Sequence, residues 1–372
     1  MIPLFKVHMP RNVMEPLQEV LFSGYIGQGA KVKEFEERLG QRLGNPRCLT
    51  LNCGTAGLHL ALRLAGAEPG TNVITTPQTC SATNEPILER GADIRWADVN
   101  PKTGEIDPDS VALLIDDKTA AIVCVHWGGY PCDLDALNEI GEFYKVPVIE
   151  DAAHAFGAVY KGKPIGSISN FTMFSFQAIK HLTTVDGGLL TCRSDEDYAR
   201  GKLLRWYGIC RESSSGFRCE PDIKEFGYKF HMNDVCATIG LAQLGHVDRI
   251  LGQHRSNARF YDRELQGVDG VELPPYEPDR ESAYWLYTIL VDGGVKEFES
   301  FMGQHHVQVS PVHKRNDGHT MMAEFAPTGR LSGVDEFERR QINIPVGWWV
   351  THEDRSFIVD TIRKWSVQRR RK

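Results

Sequence analysis

No C-x-x-C pair and no repeated spacing orders the nine cysteines of this 372-residue sequence. Their odd number argues against a disulfide framework, and reduced thiols in a cytoplasmic setting are the expectation. The histidines show neither H-E-x-x-H nor a Cys/His ligand spacing, so metal-assisted hydrolysis and a bound metal are not expected. No apolar run reaches membrane-spanning length, and the start, Met1-Ile-Pro-Leu-Phe-Lys-Val-His8, has no charged leader before a long apolar region. Neither a membrane span nor a signal peptide is therefore expected. Positive charge is also in deficit: 42 Lys and Arg against 49 Asp and Glu leave a formal charge of −7. With no basic stripe in the body of the chain, a nucleic-acid surface is not expected. The one cationic run, Arg369-Arg-Arg-Lys372, reads as a solvated tail or the closing charge of a last helix.

Apolar residues make up 41% of the chain, enough for a substantial core at this length. Strand signals at 93–99, 119–127 and 148–150 alternate with helix signals at 107–115 and 134–144. That rhythm predicts an α/β fold with a mostly parallel sheet covered by helices on both faces. A large domain over 1–245, including an N-terminal arm, and a smaller C-terminal α+β domain over 246–372 are expected, with one long helix from about Asn233 to Leu265 closing the first. A strand at 285–291 and a final helix opened by Thr351 complete the C-terminal third.

Two stretches carry the chemistry. Phe171-Thr-Met-Phe-Ser175-Phe-Gln-Ala-Ile-Lys180 is an apolar run of strand length that delivers a lysine into a turn before Gly187-Gly188. Val148-Ile-Glu-Asp151-Ala-Ala-His154 is a short β-rich run ending in two acids. In a parallel sheet both would present their side chains at the carboxyl edge, where ligands bind. A lysine that can condense with an aldehyde, next to a carboxylate that can pair with a ring nitrogen, is the minimum equipment for pyridoxal phosphate chemistry. Gly54-Thr55, between a short strand and an amphipathic helix, adds a candidate phosphate cradle, because glycine admits an anion close to the first free N–H groups of the helix.

In that order these motifs resemble the DegT/DnrJ/EryC1/StrS family of sugar aminotransferases, from about Gly24 to the C-terminus. The resemblance implies the type I fold of pyridoxal phosphate enzymes, with pyridoxal 5′-phosphate bound through Lys180 and Asp151 as catalytic residues and Gly54, Thr55 and Ser175 at its phosphate. Cys80 stands where relatives place an aromatic that covers the ring, and His154 where most have Gln beside the ring hydroxyl. An imidazole there would titrate near neutral pH. Gly227-Tyr-Lys229-Phe-His231 replaces the relatives' Gly-x-Asn-x-Arg, which a partner subunit delivers to the cofactor phosphate. Lys229 or His231 takes that place, and a homodimer with shared active sites is implied. His313, Arg315 and Asn316, in a polar stretch that is otherwise a surface turn, would face the sugar nucleotide, and Gly27 lies in a loop that either nears the site or simply turns before a helix.

A dehydratase branch of the family has His in place of the lysine, so Lys180 implies a transaminase. The expected reaction moves an amino group from glutamate to a nucleotide-linked 4-keto-6-deoxyhexose. A 3-keto sugar nucleotide or a cyclitol ketone is the alternative acceptor. A binding or regulatory protein without turnover is disfavoured by the intact Lys180/Asp151 pair. A nicotinamide dehydrogenase fails on spacing, because Ser23-Gly-Tyr-Ile-Gly27-Gln-Gly29 reads G-x-x-G-x-G rather than G-x-G-x-x-G.

Overall fold

The computed structural model describes residues 1–210 and 222–370. Helices α1 (Met14–Phe22) and α2 (Ala30–Leu43) lead into β1 (Cys48–Leu51), α3 (Gly54–Leu64), β2 (Asn72–Thr75), α4 (Ser81–Glu89) and β3 (Asp93–Trp96). The rhythm continues through α5 (Pro108–Leu114), β4 (Thr119–Val125), α6 (Leu134–Tyr144) and β5 (Val148–Asp151). Two short strands, β6 (Val159–Tyr160) and β7 (Lys163–Pro164), precede β8 (Phe171–Ser175), β9 (Gly188–Cys192) and α7 (Asp195–Leu204). The chain then runs through α8 (Asp234–Leu244), α9 (Val247–Leu265), β10 (Val271–Glu272), β11 (Arg280–Glu281), β12 (Tyr287–Val291) and α10 (Val295–Gln304). It ends with α11 (Ser332–Arg340), β13 (Gln341–Ile344) and α12 (His352–Arg369).

Seven strands form the central sheet in the order β1-β9-β8-β5-β4-β2-β3. The ladders β8–β5–β4–β2–β3 are parallel, and β9 is antiparallel to both β8 and β1. Strands β1, β2 and β5 are buried at every position, as expected of a sheet covered on both faces. Val32, Phe35, Leu39 and Leu43 of α2 recur at helical spacing and pack into the core with Val148, Phe174 and Ala237. A second core on the other side joins Leu58, Leu60 and Leu62 of α3 to Val73, Ile149 and Met173, and also takes in Val334 and Phe337 of α11. A three-stranded sheet, β10-β12-β13, centres a third core with Tyr261, Phe298 and Ile362.

The single long helix expected over 233–265 is two helices, α8 and α9, parted at Gly245-His246. Glycine is a poor helix residue, and the His246 ring meets His8 of the N-terminal arm at 5.3 Å. Val247 and Leu251 pack in the first core, whereas Ala258, Tyr261 and Leu265 pack in the third. Strand β12 begins at Tyr287, which leaves Trp285 in the preceding loop. Thr351 and Asp354 form the capping box of α12. Of the C-terminal cations, Arg369 and Arg370 pair with Asp269, and Arg371 and Lys372 lie outside the described residues. No helix among the described residues is long and apolar enough to cross a membrane.

Candidate active site

Strands β1, β2, β5 and β8 all point their carboxyl ends to one edge of the sheet, and the chain leaves each of them through a motif singled out in the sequence. Gly54, Thr55, Cys80, Asp151, His154, Ser175, Lys180 and His313 line one cavity of about 700 Å³. That size suits a small-molecule site.

Lys180 lies in the connection between β8 and β9, a loop closed at its base by two bonds. The Phe176 amide donates to the Gly187 carbonyl (2.8 Å) and the Thr184 amide to the Phe176 carbonyl (3.0 Å). Burial pushes the Lys180 amine down to about 8, against the pull of Asp151. Asp151, the last residue of β5, accepts from the Thr83 hydroxyl at 2.7 Å and from the Ala153 amide at 3.0 Å. Burial raises its carboxyl above the ordinary value, while these two donors and Lys180 act in the opposite sense.

Trp285 ties this corner together. Its indole N–H donates to the Ile179 carbonyl at 3.0 Å, its ring centroid lies 3.7 Å from Lys180 Nζ, and His154 stacks on it at 3.9 Å. Phe5 of the N-terminal arm stacks on the same ring at 4.9 Å. Nothing local in the sequence marks Trp285 or Phe5, because both arrive from parts of the chain remote from Lys180. Thr83 did carry a signal, a hydroxyl in the first turn of the helix that follows Cys80.

His154 and His313 are parallel within 4° at 5.8 Å, and each holds a buried ring nitrogen without a hydrogen-bond partner, Nδ1 of His154 and Nε2 of His313. Burial, then the Lys180 charge, drives His154 well below the usual histidine value and His313 down to about 4. The enclosure of the imidazole works against the titration near neutral pH expected for His154. Three non-glycine residues with positive φ directly precede residues of the cavity wall: Val185 (73°) before Asp186, Tyr284 (49°) before Trp285, and Val312 (68°) before His313. For β-branched valine this is a strained conformation, of the kind that collects at ligand sites.

Four expected residues lie outside the cavity wall. Arg315 is held by Asp317 and Asp335, both at 2.6 Å, with Glu338 at 3.8 Å. Asn316 is fully buried; its Oδ1 accepts from the Asn84 amide and its own amide donates to the Thr79 carbonyl. Both are polar because they bracket the fold, not because they face the cavity. Gly27 is in an exposed loop whose carbonyl accepts from the Asp234 amide at 2.8 Å, while the Asp234 carboxylate receives the amides of Gly29 and Val32. Lys229 is exposed and its carbonyl accepts from Asn52, and the neighbouring His231 packs edge-on to Trp206.

The sequence profile of the DegT/DnrJ/EryC1/StrS aminotransferase family matches residues 8–363. The chain belongs to this family. It is 44% identical to the sugar aminotransferase CalS13 from Micromonospora echinospora, with a TM-score of 0.93 over 98% of this chain and 100% of that one. The PLP-form of Spr1654 from Streptococcus pneumoniae is 27% identical, with a TM-score of 0.89 over 99% of each chain. The UDP-4-amino-4-deoxy-L-arabinose--oxoglutarate aminotransferase of Shewanella sediminis is 35% identical over 78% of this chain and 76% of its own. The protein is a sugar aminotransferase with the type I fold, and pyridoxal 5′-phosphate is its cofactor.

The cavity of this aminotransferase fits that cofactor. At Gly54 a Cβ would stand 3.0 Å from Met173 Sδ and 3.1 Å from Ser175 Cβ, and at Gly188 one would stand 2.4 Å from the Cys53 carbonyl. Glycine therefore lets the start of α3 pack closely against β8 and β9, which sets the N-terminus of that helix at the cavity, where free N–H groups favour an anion. A lysine, a doubly hydrogen-bonded carboxylate and two unpartnered imidazole nitrogens around the same space complete a donor and acceptor set matched to a phosphorylated pyridine aldehyde.

Proposed function

We propose that this aminotransferase moves the amino group of glutamate onto a nucleotide-linked 4-keto-6-deoxyhexose. The observation that carries the site assignment is the convergence of Lys180 Nζ and the Asp151 carboxylate on one buried cavity at the carboxyl edge of the sheet. The bound cofactor supplies an aldehyde for amino exchange and a cationic ring that draws electrons from the donor Cα–H bond. Lys180 both holds the cofactor and, once displaced by the donor, takes the proton from the donor Cα. Its displacement to about 8 leaves about a tenth of it as free base at pH 7, far more than an exposed lysine has. Asp151 would pair with the ring nitrogen, and Gly54, Thr55 and Ser175 would hold the phosphate. His154 would serve the ring hydroxyl as a hydrogen-bonding group, and the Cys80 thiol would cover the ring. His313 lines the acceptor side.

Lys229 is exposed and outside the wall of this chain's own cavity, which is in keeping with service to the cavity of a second copy in a cytoplasmic homodimer. A 4-keto pentose is a second reading for the acceptor, favoured by the arabinose named for the Shewanella sediminis relative. Borohydride treatment of the cofactor-loaded protein should tag the peptide that contains Lys180. An untagged peptide would remove the catalyst proposed here. Mass spectra of products from a panel of nucleotide-linked 4-keto hexoses, 4-keto pentoses and 3-keto sugars, with glutamate as donor, would then choose among acceptors.

A further inference from the structure

We propose that Thr83 is a positioning residue for Asp151, the last step of a buried hydroxyl relay that keeps this carboxylate anionic and aimed at the ring nitrogen of pyridoxal phosphate. The proposal rests on the pairing of Asp151 with that nitrogen.

Thr83 Oγ1 lies 2.7 Å from Asp151 Oδ2, and Thr79 Oγ1 lies 2.8 Å from Thr83 Oγ1. All three residues are at most 4% exposed. A hydroxyl has one proton to give. If Thr83 gives its proton to the carboxylate, its oxygen can only accept, and Thr79 must donate to it. The relay then runs in one direction, Thr79 to Thr83 to Asp151, with both O–H dipoles turned positive end towards the acid. A threonine in a helix usually bonds back to its own backbone. Thr83 instead sends its hydroxyl across to β5 from the first turn of α4, where the helix dipole adds to the effect. With Ala153 N–H on Oδ1 at 3.0 Å, each oxygen holds one protein donor and keeps lone-pair capacity for the cavity side.

The relay is fixed in place from far along the chain. Asn316 donates its side-chain amide to the Thr79 carbonyl (2.8 Å) and its backbone amide to the Pro77 carbonyl (2.8 Å). Asn84 donates to Asn316 Oδ1 (2.8 Å) and to the Thr76 carbonyl (3.1 Å), and accepts from the Thr75 hydroxyl (2.9 Å). The loop 76–80 therefore has no freedom to turn Thr79 away. This gives Asn316 a task different from ligand contact: it locks the loop that starts the relay.

The test compares binding of two probes, pyridoxal phosphate and its 1-deaza analogue, which has carbon in place of the ring nitrogen. Dissociation constants are measured for the wild-type chain and for Thr83→Val, Thr83→Ser and Thr79→Val, with the thermal midpoint of each cofactor-stripped protein. Wild type should prefer pyridoxal phosphate. Thr83→Val should weaken pyridoxal phosphate about tenfold, the worth of a hydrogen bond to a charged group, and leave the deaza analogue unchanged. Thr83→Ser should restore the preference, and Thr79→Val should lose about twofold to threefold, again for pyridoxal phosphate alone. If Thr83→Val keeps the wild-type preference, or loses both ligands equally, the relay is overturned while the Asp151 pairing stands. If wild type shows no preference, the Asp151 pairing fails and takes the relay with it. Should Thr83→Val not fold, Thr79→Val decides in the same way.

Discussion

Replacing Lys180 by Met should make the cofactor-stripped protein more stable at neutral pH. Burial lowers the lysine from 10.5 to about 8, and at about 1.4 kcal/mol per unit this amounts to about 3 kcal/mol of destabilisation wherever the amine is charged. The Trp285 ring, 3.7 Å from Nζ, returns on the order of 1 kcal/mol through its π face. A methionine of similar length, with no charge to desolvate, should therefore gain about 2 kcal/mol. The sign follows from proton counts. Between about 8 and 10.5 the folded protein binds fewer protons at this site than the unfolded chain, so wild-type stability climbs with pH across that window. The advantage of Lys180→Met is full below about pH 8 and gone by pH 10.5. Urea titrations of the two stripped proteins at equal concentration, at about pH 7 and about pH 10, read this directly. A variant less stable at neutral pH, or a difference that does not change between the two, would refute the buried-ammonium reasoning.

Acid should weaken the fold early. His154, His181, His254 and His313 are all held below the ordinary value of 6.5 by burial. Each contributes stability that is present above pH 6.5 and is lost as the pH falls, at about 1.4 kcal/mol per unit per histidine, until the folded group itself titrates, near 4 for His254 and His313. An unfolding free energy that stays level from about pH 7 to about pH 5 would contradict this. Asn316→Leu strands the Thr79 carbonyl and the Asn84 amide, and a loss of about 2 to 3 kcal/mol is expected in urea unfolding. A loss under about 1 kcal/mol would show that the bracket is dispensable. Arg315→Met leaves Asp317 and Glu338 without their cation and Asp335 with Arg330 alone. Stability should fall by about 1 to 2 kcal/mol with KM for the sugar acceptor unchanged, whereas a raised KM at full stability would make Arg315 a substrate contact.

The parts of this fold that sequence made legible are those with local causes. Alternation of apolar runs with amphipathic helices located β4, α6 and β5, and glycine followed by threonine located the start of α3. Lys180 and Asp151 could be read because Asp151 ends a short apolar strand and Lys180 sits in the turn that follows another, and parallel strands send such ends to one edge. What stayed hidden depends on contacts between distant segments. Trp285 bonds to Ile179, 106 residues earlier in the chain, and no pattern around it announces that. Arg315 and Asn316 misled for a related reason: a run of polar residues looks the same whether it meets a ligand, water or buried partners. Asn316 proves to be wholly enclosed. No proline separates α8 from α9, and Gly245 is one of three glycines in the run with Gly240 and Gly252, so only the tertiary position of His246 shows where the helix stops.

The hairpin-like return from β8 to β9 gives the nucleophile's loop two kinds of backbone amide. Those of Phe176 and Thr184 are locked in the bonds that close its base, whereas Lys180 N–H bonds only to Gln177, within the loop's own tip. Deuterium uptake should accordingly split inside this one segment: the tip exchanges through small local openings, and the base waits for the sheet itself to part. Movement of the Lys180 tip can thus leave the strands that carry it undisturbed.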